Sequence, residues 1–190
     1  MSALANPFGM RPVYHPSGII RPDELDDGIA SGYATAIYMH DPIKMATTGV
    51  IQVCAAGDAM LGVFMGCQYI PAAGQRMVFS ANWVASTTYV AGTMKAFYTM
   101  DPDLRYEIQA NGSLARTAIG DEADIVYTAG NATTGLSAVA ISTTLAGAGN
   151  PAGLRILNLA RDVDNAWGDA FTIVQVMIAE HQYRAVANAI

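Results

Sequence analysis

The chain has 190 residues, which is enough for a single domain whose core needs no disulfide staples. Charged residues make up only 14% of it, against roughly 25% in a typical soluble domain, so we expect part of its surface to be covered by neighbouring molecules. The net charge is −6 and no basic stripe is visible, which argues against nucleic acid as a partner. No apolar run reaches the roughly 20 residues of a membrane span, and no secretory signal is visible.

Residues 1–31 predict an extended N-terminal arm and a loop. Pro7 and Pro12 cannot donate backbone hydrogen bonds, and each favours extended geometry in the residue before it. A flexible linker would be rich in Gly and Ser, but this arm carries residues of the kind that anchor one protein on another. We therefore predict contacts with a partner protein or a sister subunit for Pro7, Phe8, Met10, Arg11, Val13 and Tyr14. The acidic run at 23–27 predicts a solvated loop or a contact for a basic patch.

Residues 32–190 predict one β-rich domain. Apolar and polar residues alternate along several short segments that are separated by turn signals, and the clearest of these is Leu104–Ala110. Another predicted strand has Met77, Phe79, Ala81 and Trp83 on one face, with Trp83 expected in the core. About eight to ten such strands with little helix predict a mainly β fold, a jelly-roll-like sandwich or barrel.

The stretch from 117 to 153 differs from the rest in being dense in Gly, Ala, Ser and Thr. It predicts a long excursion from the core with one strand over Leu136–Thr144. Gly147-Ala148-Gly149 loosely fits a dinucleotide-binding fingerprint, but Pro151 interrupts it, and the residues that follow resemble a strand rather than the required helix. We predict no cofactor.

No motif for catalysis or metal binding is visible. His15, His40 and His181 are isolated from one another, and neither Cys54 nor Cys67 has a histidine close in sequence. Both cysteines stand in apolar strands and predict buried free thiols. The carboxylate pairs Asp101/Asp103 and Asp162/Asp164 lack the other ligands of a calcium loop and predict turns or caps. We therefore predict no catalytic residue, no metal site and no enzymatic activity.

Several short motifs occur together in an order that is similar to one protein family. They are Asn6–Val13 with His15, then Gly62–Gly66, then Asp101-Pro102 followed by Leu104–Ala110, and finally Leu154–Leu157, Asp164–Gly168 and Ala179–His181. Through them the chain resembles the head decoration, or capsid cement, proteins of tailed bacteriophages, over most of its length.

The resemblance implies a non-enzymatic virion protein, made in the host cytoplasm, that binds the outer surface of the capsid and stabilises the mature head. The implied partners are the major capsid protein and further copies of the chain, as a homotrimer at a local threefold site. Two other functions remain open: a tail or head-fibre component, and a carbohydrate-binding β-sandwich.

Overall fold

The computed structural model describes residues 4–184, which form two antiparallel β-sheets of six strands each, consistent with a β-sandwich. The strands are β1 (Arg11–Tyr14), β2 (Asp23–Asp26), β3 (Pro42–Met45), β4 (Ile51–Val53), β5 (Gly62–Tyr69), β6 (Val78–Ser80), β7 (Lys95–Tyr98), β8 (Arg105–Gln109), β9 (Glu122–Val126), β10 (Ala140–Leu145), β11 (Leu154–Leu159) and β12 (Ile173–Ile178). A single 3₁₀ turn, Arg116–Ala118, is the only helical element between residues 4 and 184. The predicted mainly β fold is confirmed.

The first sheet has the order β1-β8-β12-β11-β9-β10. The N–H of Asn111, just after β8, donates to the carbonyl of Ile141 in β10 at 2.9 Å, and Ala110 forms a bridge with Ile141. The two ends of the path β8 to β10 therefore meet, and the sheet curls around its own core. That core contains Tyr106, Ile156 and Val176, all fully buried.

The second sheet has the order β2-β7-β5-β3-β4, and β6 pairs with the far end of β5. It also curls, because the N–H of Ile51 in β4 donates to the carbonyl of Gly28, just after β2, at 2.8 Å. Its core is centred on Trp83, whose ring meets Tyr69 edge-on at 5.5 Å between centroids and Tyr89 at 6.1 Å. Trp83 is fully buried, as predicted.

The structure has twelve strands rather than eight to ten, and two segments contribute strands that their sequence does not indicate. Residues 11–14 and 23–26, predicted as arm and loop, are β1 and β2, and pair with β8 and β7. Residues 117–153, predicted as an excursion, supply β9, which was not predicted, and β10, which overlaps the strand predicted over Leu136–Thr144; Ile125 and Ile141 lie in the first core. Residues 127–139, which connect β9 and β10, are rich in Ala, Gly and Thr and carry no strand periodicity that would indicate this pairing.

Candidate functional site

The predicted contact residues of the N-terminal segment, residues 6–14, lie along the chain's own domain. The N–H of Gly9 donates to the carbonyl of Val139 at 3.2 Å, and the N–H of Met10 donates to the carbonyl of His40 at 3.0 Å. β1 then pairs with β8, with Arg11 opposite Glu107. The segment therefore hydrogen-bonds to residues just before β10 of the first sheet and just before β3 of the second sheet.

Gly9 makes this close approach possible. Its φ is +74°, and a Cβ at this position would lie 2.5 Å from both the His40 carbonyl oxygen and the Ser137 Cβ. Any side chain would meet both a strained backbone conformation and a steric clash. The glycine between the two apolar residues Phe8 and Met10 is thus a sequence signal that the segment is packed rather than free.

Met10 has no exposed surface and belongs to the core of the first sheet, which it shares with Tyr106. A side chain in that position is inaccessible to a partner, so Met10 is not a candidate contact residue. Pro7, Phe8 and Val13 are half-buried, and they present only part of their surface. A proline- and apolar-rich segment can bury its anchors against its own domain as well as against a partner, and here Met10 does so.

Arg11 and Tyr14 are exposed, but each is held by its own domain. The Arg11 guanidinium lies 2.6 Å from the Glu107 carboxylate, whose side chain is only 11% exposed, and sits over the Phe8 ring at 5.0 Å from the centroid. Arg105 lies over the Tyr14 ring at 4.8 Å. These contacts fix the orientation of both side chains and leave the outer face of β1 accessible.

The turn at Tyr38–Asp41 receives the N-terminal segment. His40 has a φ of +72°, which directs its carbonyl toward Met10. Asp41 is fully buried, and its Oδ2 accepts the N–H of Tyr38 at 2.8 Å. Burial raises the pKa of Asp41 to about 6, against the smaller opposing effect of hydrogen bonds to the carboxylate. A titratable group therefore stands directly beneath the segment.

A groove of about 670 Å³ opens beside the start of the segment. Asn6, Pro7 and Phe8 form one wall, and the loop 129–138 forms the other. No charged residue occurs between Asp124 and Arg155, and Leu136 on the rim is 40% exposed. This groove is the candidate binding site, because the N-terminal motif and an uncharged loop meet there.

The three histidines serve separate local roles. His15 lies 2.9 Å from the Asp101 carboxylate, His40 supplies the carbonyl for Met10, and His181 is buried next to Tyr183. Burial lowers the pKa of His40 and of His181. Between residues 4 and 184 no group of three or more His, Cys, Asp or Glu residues is placed to hold a metal ion.

The remaining candidate groups have structural surroundings. Cys54 and Cys67 are buried free thiols, as predicted, and burial raises the pKa of Cys67 to about 12, so it is not a thiolate at neutral pH. Asp101 Oδ1 accepts the N–H of Asp103 at 2.8 Å, the turn role that the spacing predicts. Trp167 is half-buried against the first core.

The sequence does not predict that side chains of the β6 segment are exposed. Alternation predicts that Met77 and Phe79 lie on the same side as Trp83, yet Phe79 is 73% exposed and Met77 is exposed as well. The strand ends at Ser80, and the chain changes direction before Trp83 enters the core. The near absence of charge around Phe79 is the signal that could have indicated an exposed apolar surface.

Comparison of the chain with protein-family models, curated proteins and solved structures finds no match. No helix in the part of the chain that the structure describes is long and apolar enough to cross a membrane.

Proposed function

We propose that this chain is a non-enzymatic virion structural protein that binds the outer surface of a tailed-phage capsid and stabilises the mature head. Its partners are the major capsid protein and further copies of itself, as a homotrimer. The observation that carries the proposal is the groove, where the motif Asn6-Pro7-Phe8 meets the uncharged loop 129–138. Its wall belongs to the motif by which the chain resembles capsid cement proteins.

The groove suits a segment of another protein better than a small polar substrate. It is lined by Ala, Gly, Pro, Phe and Leu together with the neutral polar side chains of Asn6, Asn131 and Thr134. Neutral, partly apolar surfaces with amide and hydroxyl groups at the rim are typical of protein–protein contacts. In this account Pro7 and Phe8 contact the capsid at the groove, and Arg11 and Tyr14 contact it along the outer face of β1.

Stabilisation of the head follows from mass action. A protein that binds the expanded shell but not its precursor lowers the free energy of the expanded shell by an amount that grows with its concentration. Several weak groove contacts on one oligomer act together, since the first contact raises the effective concentration of the others. No chemical turnover is required for this role.

Co-sedimentation with phage heads tests the proposal. The wild-type protein should pellet with mature heads and stay in solution with procapsids. Leu136→Glu places a charge on the groove rim and should weaken head binding by at least about tenfold, the loss expected when an interface anchor is disrupted. Ile119→Glu is the matched control, because Ile119 is 42% exposed against 40% for Leu136, and it should bind like wild type.

Two results would contradict the proposal. The first is that wild-type protein does not pellet with mature heads at any protein concentration tested. The second is equal binding by Leu136→Glu and Ile119→Glu, which would remove the groove from the contact. Antibody labelling of whole particles separates the head surface from the tail and the head fibres.

A further inference from the structure

The segment 70–94, which includes strand β6, forms a second surface with very little charge. Arg76 is its only charged residue, and four of its large apolar side chains are exposed. We define the β6 face by these side chains, Met77, Phe79, Val84 and Val90. Phe79 is 73% exposed on a strand, where an aromatic ring of this size normally packs against a neighbour.

The β6 face adjoins further neutral surface. An ideal Cβ on Gly135 would lie 3.3 Å from the Cβ of Ala81, so the segment 70–94 contacts the uncharged stretch between Asp124 and Arg155. Several large exposed apolar side chains within one short segment are a feature of interaction sites.

The strands β2 and β6 of the second sheet differ in the charge that they present to another molecule. β2 carries Asp23, Glu24 and Asp26, and Lys95 forms ion pairs with Glu24 at 3.0 Å and with Asp26 at 3.4 Å. Charges on an edge strand prevent pairing with another chain. Among the described residues β6 pairs with β5 and with no other strand, and Val78, Phe79 and Ser80 carry no charge. Carboxylates therefore line β2, whereas β6 carries none.

The charge distribution favours this face for contact with a second copy of the chain. Two molecules that each carry a net charge of −6 repel one another over most orientations. The repulsion is smallest where neither copy presents a carboxylate, and the segment 70–94 contains none, its one charge being the exposed Arg76 beside Met77. A basic partner would be drawn to the acidic edge at β2 instead. An apolar surface also tolerates its own image across a symmetric interface.

We propose that the β6 face is the surface through which copies of this chain associate, with Phe79 as its anchor. This inference rests on the homo-oligomer in the proposed function. It assigns that oligomer a surface that adjoins the loop 129–138 at Gly135 but shares no lining residue with the capsid-binding groove. One molecule then presents β6 to its sister subunits and the groove to the capsid, so both contacts form at once.

Sedimentation equilibrium of the purified full chain tests the assignment, over a range from about 1 to about 100 μM, where contacts of moderate affinity are populated. The wild-type protein should associate. Phe79→Asp should raise the dissociation constant by at least about thirtyfold, since it removes an aromatic anchor and introduces like charges across the interface. Val163→Asp is the control, because Val163 is 100% exposed in the β11–β12 loop, outside the β6 face, and it should associate like wild type.

Phe79→Ser, which adds no charge, should weaken association less than Phe79→Asp but in the same direction, and thermal unfolding confirms that each variant is folded. A monomeric wild type at 100 μM, or equal association of Phe79→Asp and wild type, overturns the inference. Equal weakening by Val163→Asp also overturns it. Head co-sedimentation tells the two proposals apart: head binding without association through β6 contradicts only this inference, and association without head binding contradicts only the proposed function.

Discussion

The N-terminal segment and the β6 segment are both short, apolar edge elements with an aromatic ring and a methionine, yet the fold treats them in opposite ways. The segment at 6–14 buries Met10 completely and is fixed by the ion pair between Arg11 and Glu107. The β6 segment leaves Met77 and Phe79 exposed and has no charged side chain from Val78 to Ser80. The two segments have similar apolar content. What distinguishes the N-terminal segment is its ion pair with Glu107 and the glycine, Gly9, that lets its backbone approach the domain closely.

The largest effect should come from Met10→Ala. A fully buried methionine replaced by alanine leaves a cavity and should lower the free energy of unfolding by about 2–5 kcal/mol. Chemical denaturation measures this change. Leu4→Ala is the control, since Leu4 is 72% exposed, and it should change the free energy by less than about 0.5 kcal/mol. Equal, small effects of the two substitutions would show that the segment is a free arm after all.

Asp41→Asn should alter the pH dependence of stability. Asp41 has a pKa raised to about 6, so the folded state holds its proton more tightly than the unfolded state does. The stability due to this proton is fully present below pH ~4 and is lost as pH rises through 6, a loss of up to about 3 kcal/mol. Asn keeps an oxygen acceptor for the Tyr38 N–H and does not titrate. We therefore expect the free energy of unfolding of Asp41→Asn, relative to that of wild type, to be higher at pH 8 than at pH 4 by up to about 3 kcal/mol. Unfolding curves at the two pH values measure this difference.

An unchanged difference between the two proteins at pH 4 and pH 8 would contradict this assignment. It would mean that the turn beneath the N-terminal segment opens to water, and that the contrast with β6 is smaller than the structure indicates.

Arg11→Ala should have an intermediate effect. It leaves the largely buried Glu107 carboxylate with a long 3.4 Å contact from Gln175 Nε2, and should cost about 1–2 kcal/mol, because the guanidinium itself is half exposed. A double-mutant cycle with Glu107→Gln measures the coupling of the pair. A coupling near zero would show that the ion pair does not hold β1 to the first sheet.

Phe79→Ser should have the smallest effect on the stability of the isolated domain. An exposed side chain away from caps and ion pairs contributes within about 0.5 kcal/mol, so unfolding measured at low protein concentration should barely change. The same substitution acts on association, and this separation of stability from assembly sharpens the contrast with Met10. A loss of more than about 2 kcal/mol would place Phe79 in the core rather than on the surface.

The sequence predicts the class of fold well, because alternation over segments such as Leu104–Ala110 is a direct consequence of strand geometry. It predicts the cores around Trp83 and the buried thiols for the same reason. The position of the N-terminal segment depends on contacts far away along the chain, such as Met10 with His40, that periodicity does not encode. Phe79 was predicted to share the Trp83 side because the strand was extended past Ser80, where the chain turns.

Within the candidate site, the motif Asn6-Pro7-Phe8 is prominent in the sequence, but the loop 129–138 that completes the groove is not. Its Gly, Ala and Thr residues resemble a linker, and only the fold brings them opposite Phe8. The sequence can therefore indicate half of such a surface, while the other half depends on the pairing of β9 with β10.

A reconstruction of mature phage heads would show the chain and all of its contacts together. The account predicts density for this chain on the outer surface of the shell, with residues 6–14 within their own domain, the groove against the capsid protein and Phe79 against a sister copy. A shell without this chain would contradict the proposed function. Residues 6–14 extended across a neighbouring subunit, with Phe79 facing solvent, would reverse the comparison between the two segments.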